Sequence, residues 1–174
     1  LTIARLHWVN GLEYTLQALT ILKQKKLNFS YTIIGGGHEY ERLIYAAHQM
    51  DLNENVSFIG SQTHNIIKDY LQESDIYLQY SIQEGFCNAV LEAQAMGLLS
   101  IVSDANGLTE NIRHNYTGWV VPRMEPELLA NRIEKVLSIP DETLMQIRHN
   151  AITRINREFS LSKQKEKFFE FYNK

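Results

Sequence analysis

The chain has 174 residues, 44% of them hydrophobic and 21% charged, with a formal net charge of -3 at neutral pH. That length and balance suit one globular domain with a complete core, and the slight acidity argues against nucleic acid as a partner. No apolar run approaches the roughly 20 residues of a membrane span. The single cysteine, Cys87, excludes an intrachain disulfide and suits a reducing, cytoplasmic compartment.

Taken in order, strand-like runs alternate with helical periodicities. The opening LTIARL (1–6) reads as a strand entered without a methionine, as expected for the second part of a longer protein. Leu12, Leu16, Leu19 and Leu22 then recur at helical spacing within 11–26. The run FSYTII (29–34) reads as a strand and stops at Gly35, Gly36 and Gly37. A helix is predicted over 38–50, with Leu43, Ile44 and Ala47 on one face, then a strand over 56–60. A helix over 65–71 and a strand over 75–80 follow.

The stretch QEGFCNAVLEAQAMG (83–97) contains the next helix, over 87–96, and a strand spans 98–103. A short helix over 108–113, a small strand over 118–121 and helices over 126–137, 142–158 and 162–172 complete the chain. On the last of these, Phe168, Phe169, Phe171 and Tyr172 form an apolar band. Strands separated by helices predict an α/β domain, a Rossmann-like doubly wound parallel sheet with helices on both faces.

In such sheets ligands bind beyond the carboxyl ends of the strands. The loops expected there carry Arg5 and Asn10-Gly11, the glycines 35–37, Gly60-Ser61-Gln62, the run 81–86, and Asp104 to Gly107. Glu84 and Glu92 stand eight positions apart in this region. Glu92 precedes Ala93, Ala95 and Met96, all expected to be buried, and a carboxylate beside a core needs a partner.

Gly85, Phe86, Cys87 and Asn88 fall at a helix N-terminus, where free backbone N–H groups suit a phosphate or diphosphate. Arg5 can add a fixed positive charge. Glu92, further along the helix, can accept two hydroxyl hydrogen bonds from a ribose diol. Glu84 is left for whatever hangs off the other end of the phosphates. That arrangement fits a nucleotide-sugar. The same helix N-terminus is expected to make the Cys87 thiol mildly acidic. The histidines are scattered without metal-ligand spacing, so no metal site is expected; His7 alone lies near the phosphate loops.

The segment EGFCNAVLEAQAMG resembles the E-x7-E signature of the GT-B glycosyltransferases of family 4, the glycosyl transferases group 1. Arg5 with Asn10-Gly11 resembles the family's R-x4-K-G; IIGGGHE, VSFIG, NGLTE and GWVVP resemble further family segments. The resemblance covers nearly the whole chain. It implies the C-terminal, donor-binding domain of a two-domain enzyme whose N-terminal acceptor domain lies outside this chain.

By that resemblance Glu92 takes the ribose hydroxyls and Glu84 the donor sugar. Arg5 takes the diphosphate, beside the backbone of Gly85, Phe86 and Cys87. Asn88, Asn10, Gly11, Gly35 and Gly37 line the donor, and Ser61 and Gln62 border the base. The implied activity is retaining transfer from a nucleotide-sugar, UDP- or GDP-linked, in polysaccharide or glycoconjugate synthesis. No further cofactor is implied. The acceptor, a sugar or lipid-linked glycan, and any contact with the inner membrane face would come through the other domain.

Two positions depart from the family pattern: Asn10 replaces its lysine, and Leu99 replaces its usual proline. A nucleotide-sugar epimerase or phosphorylase of the same architecture is the alternative enzyme. A degenerate nucleotide-binding domain without catalysis is the alternative outside enzymology.

Overall fold

The computed structural model describes residues 1–160 together with Lys163, Lys165, Phe168, Phe169 and Phe171. Among the described residues, six strands are β1 (Thr2–Ile3), β2 (Tyr31–Ile34), β3 (Val56–Phe58), β4 (Ile76–Gln79), β5 (Leu99–Ser103) and β6 (Trp119–Val121). They alternate with helices α1 (Leu12–Gln24), α2 (Tyr40–Gln49), α3 (His64–Glu73), α4 (Asn88–Ala95) and α5 (Leu108–Asn111). Helices α6 (Pro126–Leu137) and α7 (Asp141–Glu158) follow the last strand. Of the helix expected over 162–172, most lies outside the described residues.

All strand pairings are parallel, in the orders β1-β2-β3 and β4-β5-β6. The two halves meet along β1 and β4: Leu1 N donates to the Ile76 carbonyl at 3.0 Å, and Leu78 N to the Leu1 carbonyl at 2.9 Å. The Thr2 hydroxyl adds a bond to the Leu78 carbonyl at 2.5 Å. The continuous order β3-β2-β1-β4-β5-β6 is the doubly wound sheet that the strand–helix alternation predicts. Its winding reverses between β1 and β4, where such sheets open a crevice.

Successive strand residues face opposite layers, as the period of two requires. Ile33, Leu78 and Ile101 enter one core with Leu16 and Leu19 of α1 and Leu129 and Val136 of α6. Ile34, Tyr77 and Val102 enter the other with Val90 and Ala93 of α4 and Leu108 of α5. Each fully buried leucine contributes about 1.5–3 kcal/mol, so these two layers hold the loops between them in a fixed frame.

Boundaries moved where glycine or hydrogen bonding decided them. The first strand is shorter than expected, yet the chain stays paired beyond it: Ala4 N donates to the Ile34 carbonyl at 3.0 Å and Leu6 N to Gly36 at 2.9 Å. The strand expected over 56–60 stops at Phe58, before Gly60 turns with φ +70°. No helix among the described residues is long and apolar enough to cross a membrane.

Candidate donor site

The loops after β1, β4 and β5 are bonded into one crevice at the winding reversal. The Val9 carbonyl accepts Ile82 N at 2.8 Å and Gln83 N at 3.3 Å. Gly11 starts α1 with φ +62°, and a Cβ there would sit 2.0 Å from the Tyr80 carbonyl, so only glycine fits. On the other side the Ser103 hydroxyl donates to the Ser81 carbonyl at 2.5 Å, and Gly107 N donates to the Glu84 carbonyl at 3.3 Å. A Cβ on Gly107 would lie only 1.4 Å from the Gly85 carbonyl. Backbone touches backbone there, and the β4 and β5 loops cannot separate without losing that contact.

Arg5 is exposed on the β1 loop. Asn10 is buried beneath it, and its amide donates to the Arg5 carbonyl at 2.7 Å. Where the family has a lysine, this chain has a side chain that fastens the arginine's loop. His7 caps the short 3-10 turn Trp8–Asn10 through Nδ1, which accepts Val9 N at 3.4 Å. Its ring stands edge-on to His38, with centroids 4.9 Å apart, so the fold brings together two histidines that are distant in sequence.

Gly35 N donates to the Gly60 carbonyl at 2.9 Å and the Gly36 carbonyl accepts Leu6 N at 2.9 Å, so this glycine run links the β1, β2 and β3 loops. Ser61 is exposed and Gln62 half-buried; the Gln62 amide turns back onto the Ile59 carbonyl at 2.7 Å. Both stand on the β3 side of the crevice, two strands from β1.

At the other wall, Glu84 is half-buried and accepts the Ser81 hydroxyl at 3.3 Å. Gly85 and Asn88 are exposed; Phe86 is 44% exposed, with its ring centroid 5.6 Å from that of Phe159. The first turn of α4 holds no acidic residue, which leaves the positive end of its dipole uncompensated. The Cys87 N–H is already engaged, donating to Asn111 Oδ1 at 3.1 Å.

Two expectations are corrected here. Glu92 does not lie beside buried Ala95: both are exposed, on one stripe with Asn88, while Val90, Leu91, Ala93 and Gln94 face inward and Met96 is half-buried. The carboxylate of Glu92 therefore carries no burial that a partner must offset; its stripe is solvent-facing. The Cys87 thiol is not acidic. Burial pushes it up to about 11, and Glu84 and Glu92 push the same way. The Val90 and Ala89 backbone N–H groups pull it down by less.

Sequence reasoning missed Arg123, whose guanidinium donates to the Ile82 carbonyl at 2.9 Å and lies 3.8 Å from Asp104. It also missed buried Gln79, Gln94 and Asn111. For Gln79 a signal existed, since Tyr77, Gln79 and Ser81 alternate on one face of β4. For Asn111 there was none. Among the described residues no group of three His, Cys, Asp or Glu side chains could hold a metal ion. A hollow of about 240 Å³ lies at the opposite, amino-terminal edge of the sheet, among Leu22, Phe29, Asp75 and Leu137.

Residues 1–154 match the family described as Glycosyl transferases group 1. The chain belongs to this family. It is 38% identical over 136 residues to the amylovoran biosynthesis glycosyltransferase AmsK of Erwinia amylovora, covering 75% of this chain and 33% of that protein. The C-terminal domain of the group 1 protein LpcC from Francisella tularensis superposes with a TM-score of 0.80 at 21% identity, over 92% of this chain and 85% of that one. HepE from Anabaena, solved in complex with UDP, superposes with a TM-score of 0.88 at 19% identity, over 99% of this chain and 47% of that one. The group 1 domain described here thus has the fold of a C-terminal GT-B half, and it spans about a third of the length of AmsK.

Proposed function

We propose that this group 1 domain is the donor-binding half of a retaining glycosyltransferase acting in polysaccharide or glycoconjugate synthesis. One observation carries the reading. The Arg5 loop and the Glu84 loop are stitched together through Val9, Ile82 and Gln83 at the acid-free start of α4. A diphosphate seated there meets a guanidinium on one side and a helix N-terminus on the other. Glu92, four residues into α4 and about 6 Å along its axis, accepts the ribose hydroxyls. Glu84 accepts hydroxyls of the sugar. UDP is the first nucleotide to try, because the fold neighbour HepE binds it.

The test is thermal stabilisation by UDP, GDP and ADP and their sugar conjugates, with Glu92→Ala alongside. Ligand at ten times Kd adds about 1.4 kcal/mol, a rise of roughly 3–6 °C for a domain of this size. Stabilisation by one nucleotide that disappears in Glu92→Ala supports the assignment. Stabilisation that survives the substitution refutes the ribose role.

Asn10 favours a second reading, nucleotide binding without transfer, because its amide holds the Arg5 carbonyl and supplies no charge. Release of free nucleotide and appearance of glycosylated product, followed on the full-length protein, separate the two. An epimerase would return an isomerised sugar, and a phosphorylase would require inorganic phosphate.

A further inference from the structure

A chain of buried polar groups runs along one face of β4 to the crevice. Tyr77, Gln79 and Ser81 are each at most 1% exposed, and they alternate onto the same face of the strand. Buried polar side chains are costly unless hydrogen bonds satisfy them, and an apolar β4 would have packed against α4 without that demand.

The proton inventory gives the chain a direction. An ionised carboxylate only accepts, so the single Ser81 proton goes to Glu84, 3.3 Å away. The Ser81 oxygen then accepts Gln79 Nε2 at 2.9 Å, which leaves Gln79 Oε1 for the Tyr77 hydroxyl at 3.0 Å. The Tyr77 oxygen accepts Ile3 N–H at 3.4 Å; the Ile3 carbonyl, at 3.2 Å, is a longer alternative for its proton. Burial raises the Tyr77 phenol well above its ordinary range, so it remains a donor at any working pH. Every link therefore donates toward Glu84, and bonds aligned in this way strengthen one another. The chain starts in β1 and ends on the β4 loop, spanning the two strands where the winding reverses.

We propose that Gln79 is a positioning residue for donor recognition, aiming the Glu84 carboxylate at the donor sugar through the Ser81 hydroxyl. The proposal rests on the reading of Glu84 as the sugar-contacting group. It assigns Gln79 no contact with the ligand. Its effect falls on the sugar, not on the nucleotide.

The experiment is a double-mutant cycle on the full-length protein. Dissociation constants are measured by calorimetry for UDP with UDP-glucose, GDP with GDP-mannose and ADP with ADP-glucose. The variants are Gln79→Met, Glu84→Ala and the pair. For the nucleotide that binds, Gln79→Met should leave its Kd unchanged and weaken the sugar conjugate about fivefold, as loss of one neutral hydrogen bond does. In the Glu84→Ala background the same substitution should do nothing further.

Equal losses in both backgrounds, or a loss shared by the bare nucleotide, overturn the positioning role and leave the donor site standing. A Glu84→Ala protein that binds conjugate and nucleotide like the parent overturns the reading of Glu84 itself. Failure of the parent to bind any pair has the same consequence. Should Gln79→Met not fold, Tyr77→Phe removes one oxygen at the far end of the chain. It should shift the same ratio about threefold, and an unchanged ratio overturns the proposal.

Discussion

Asn111 Oδ1 accepts the backbone N–H of Cys87 at 3.1 Å, so the end of α5 caps the start of α4 from across the crevice wall. Gln94 Nε2 and the Arg154 guanidinium both donate to the Asn111 carbonyl, at 3.1 and 2.6 Å, holding the short helix in place. The N-terminus at which the diphosphate is proposed to sit is thus set by α5 and α7 as much as by α4.

Replacing Asn111 by alanine leaves the Cys87 N–H without its acceptor. The expected loss is about 1–3 kcal/mol of unfolding free energy, the usual penalty for an unsatisfied buried group. Urea denaturation measures it. A change below about 0.5 kcal/mol would mean that the capping bond is not maintained in solution.

Gly107→Ala drives a Cβ into the Gly85 carbonyl. The β4 and β5 loops must part to admit it, at about 1–3 kcal/mol for overpacking. Nucleotide affinity should fall along with the melting temperature, because Gly85 leads directly into α4. A variant that melts lower but binds nucleotide as the parent does would separate this contact from the donor site.

For Cys87 the sign follows from a thiol raised to about 11 in the folded state. The unfolded chain ionises this thiol from about pH 8.5 upward, and the folded one does not. Stability is therefore intact below that pH and is lost as pH rises toward 11, more in the parent than in Cys87→Ala. Alkylation by iodoacetamide should rise about tenfold per pH unit from 8 to 10, without the plateau of an ordinary thiol. A plateau near pH 9 would contradict the burial effect.

Glu92→Ala should change folding stability by no more than about 0.5 kcal/mol, since the side chain is on the exposed stripe of α4. Its effect should appear only in nucleotide binding. A large stability change would show that Glu92 serves the fold, and chemical denaturation decides it.

The strands and helices were legible residue by residue. Leu12, Leu16, Leu19 and Leu22 announce α1, and β-branched runs ending at glycine announce β2 and β3, because 3.6- and two-residue periods are written locally. The segment around Glu84 and Glu92 was legible for the same reason: its residues lie within one loop and one helix. The pairing of β1 beside β4 emerged only in three dimensions, since strand neighbours 75 residues apart leave no local trace. That pairing creates the crevice, joins the Arg5 loop to the Glu84 loop, and brings the Ile3 backbone onto the Tyr77 hydroxyl. The core packed around the start of α4 desolvated the Cys87 thiol, reversing the effect expected from a helix N-terminus, because desolvation depends on what packs around a group and not on the element that carries it.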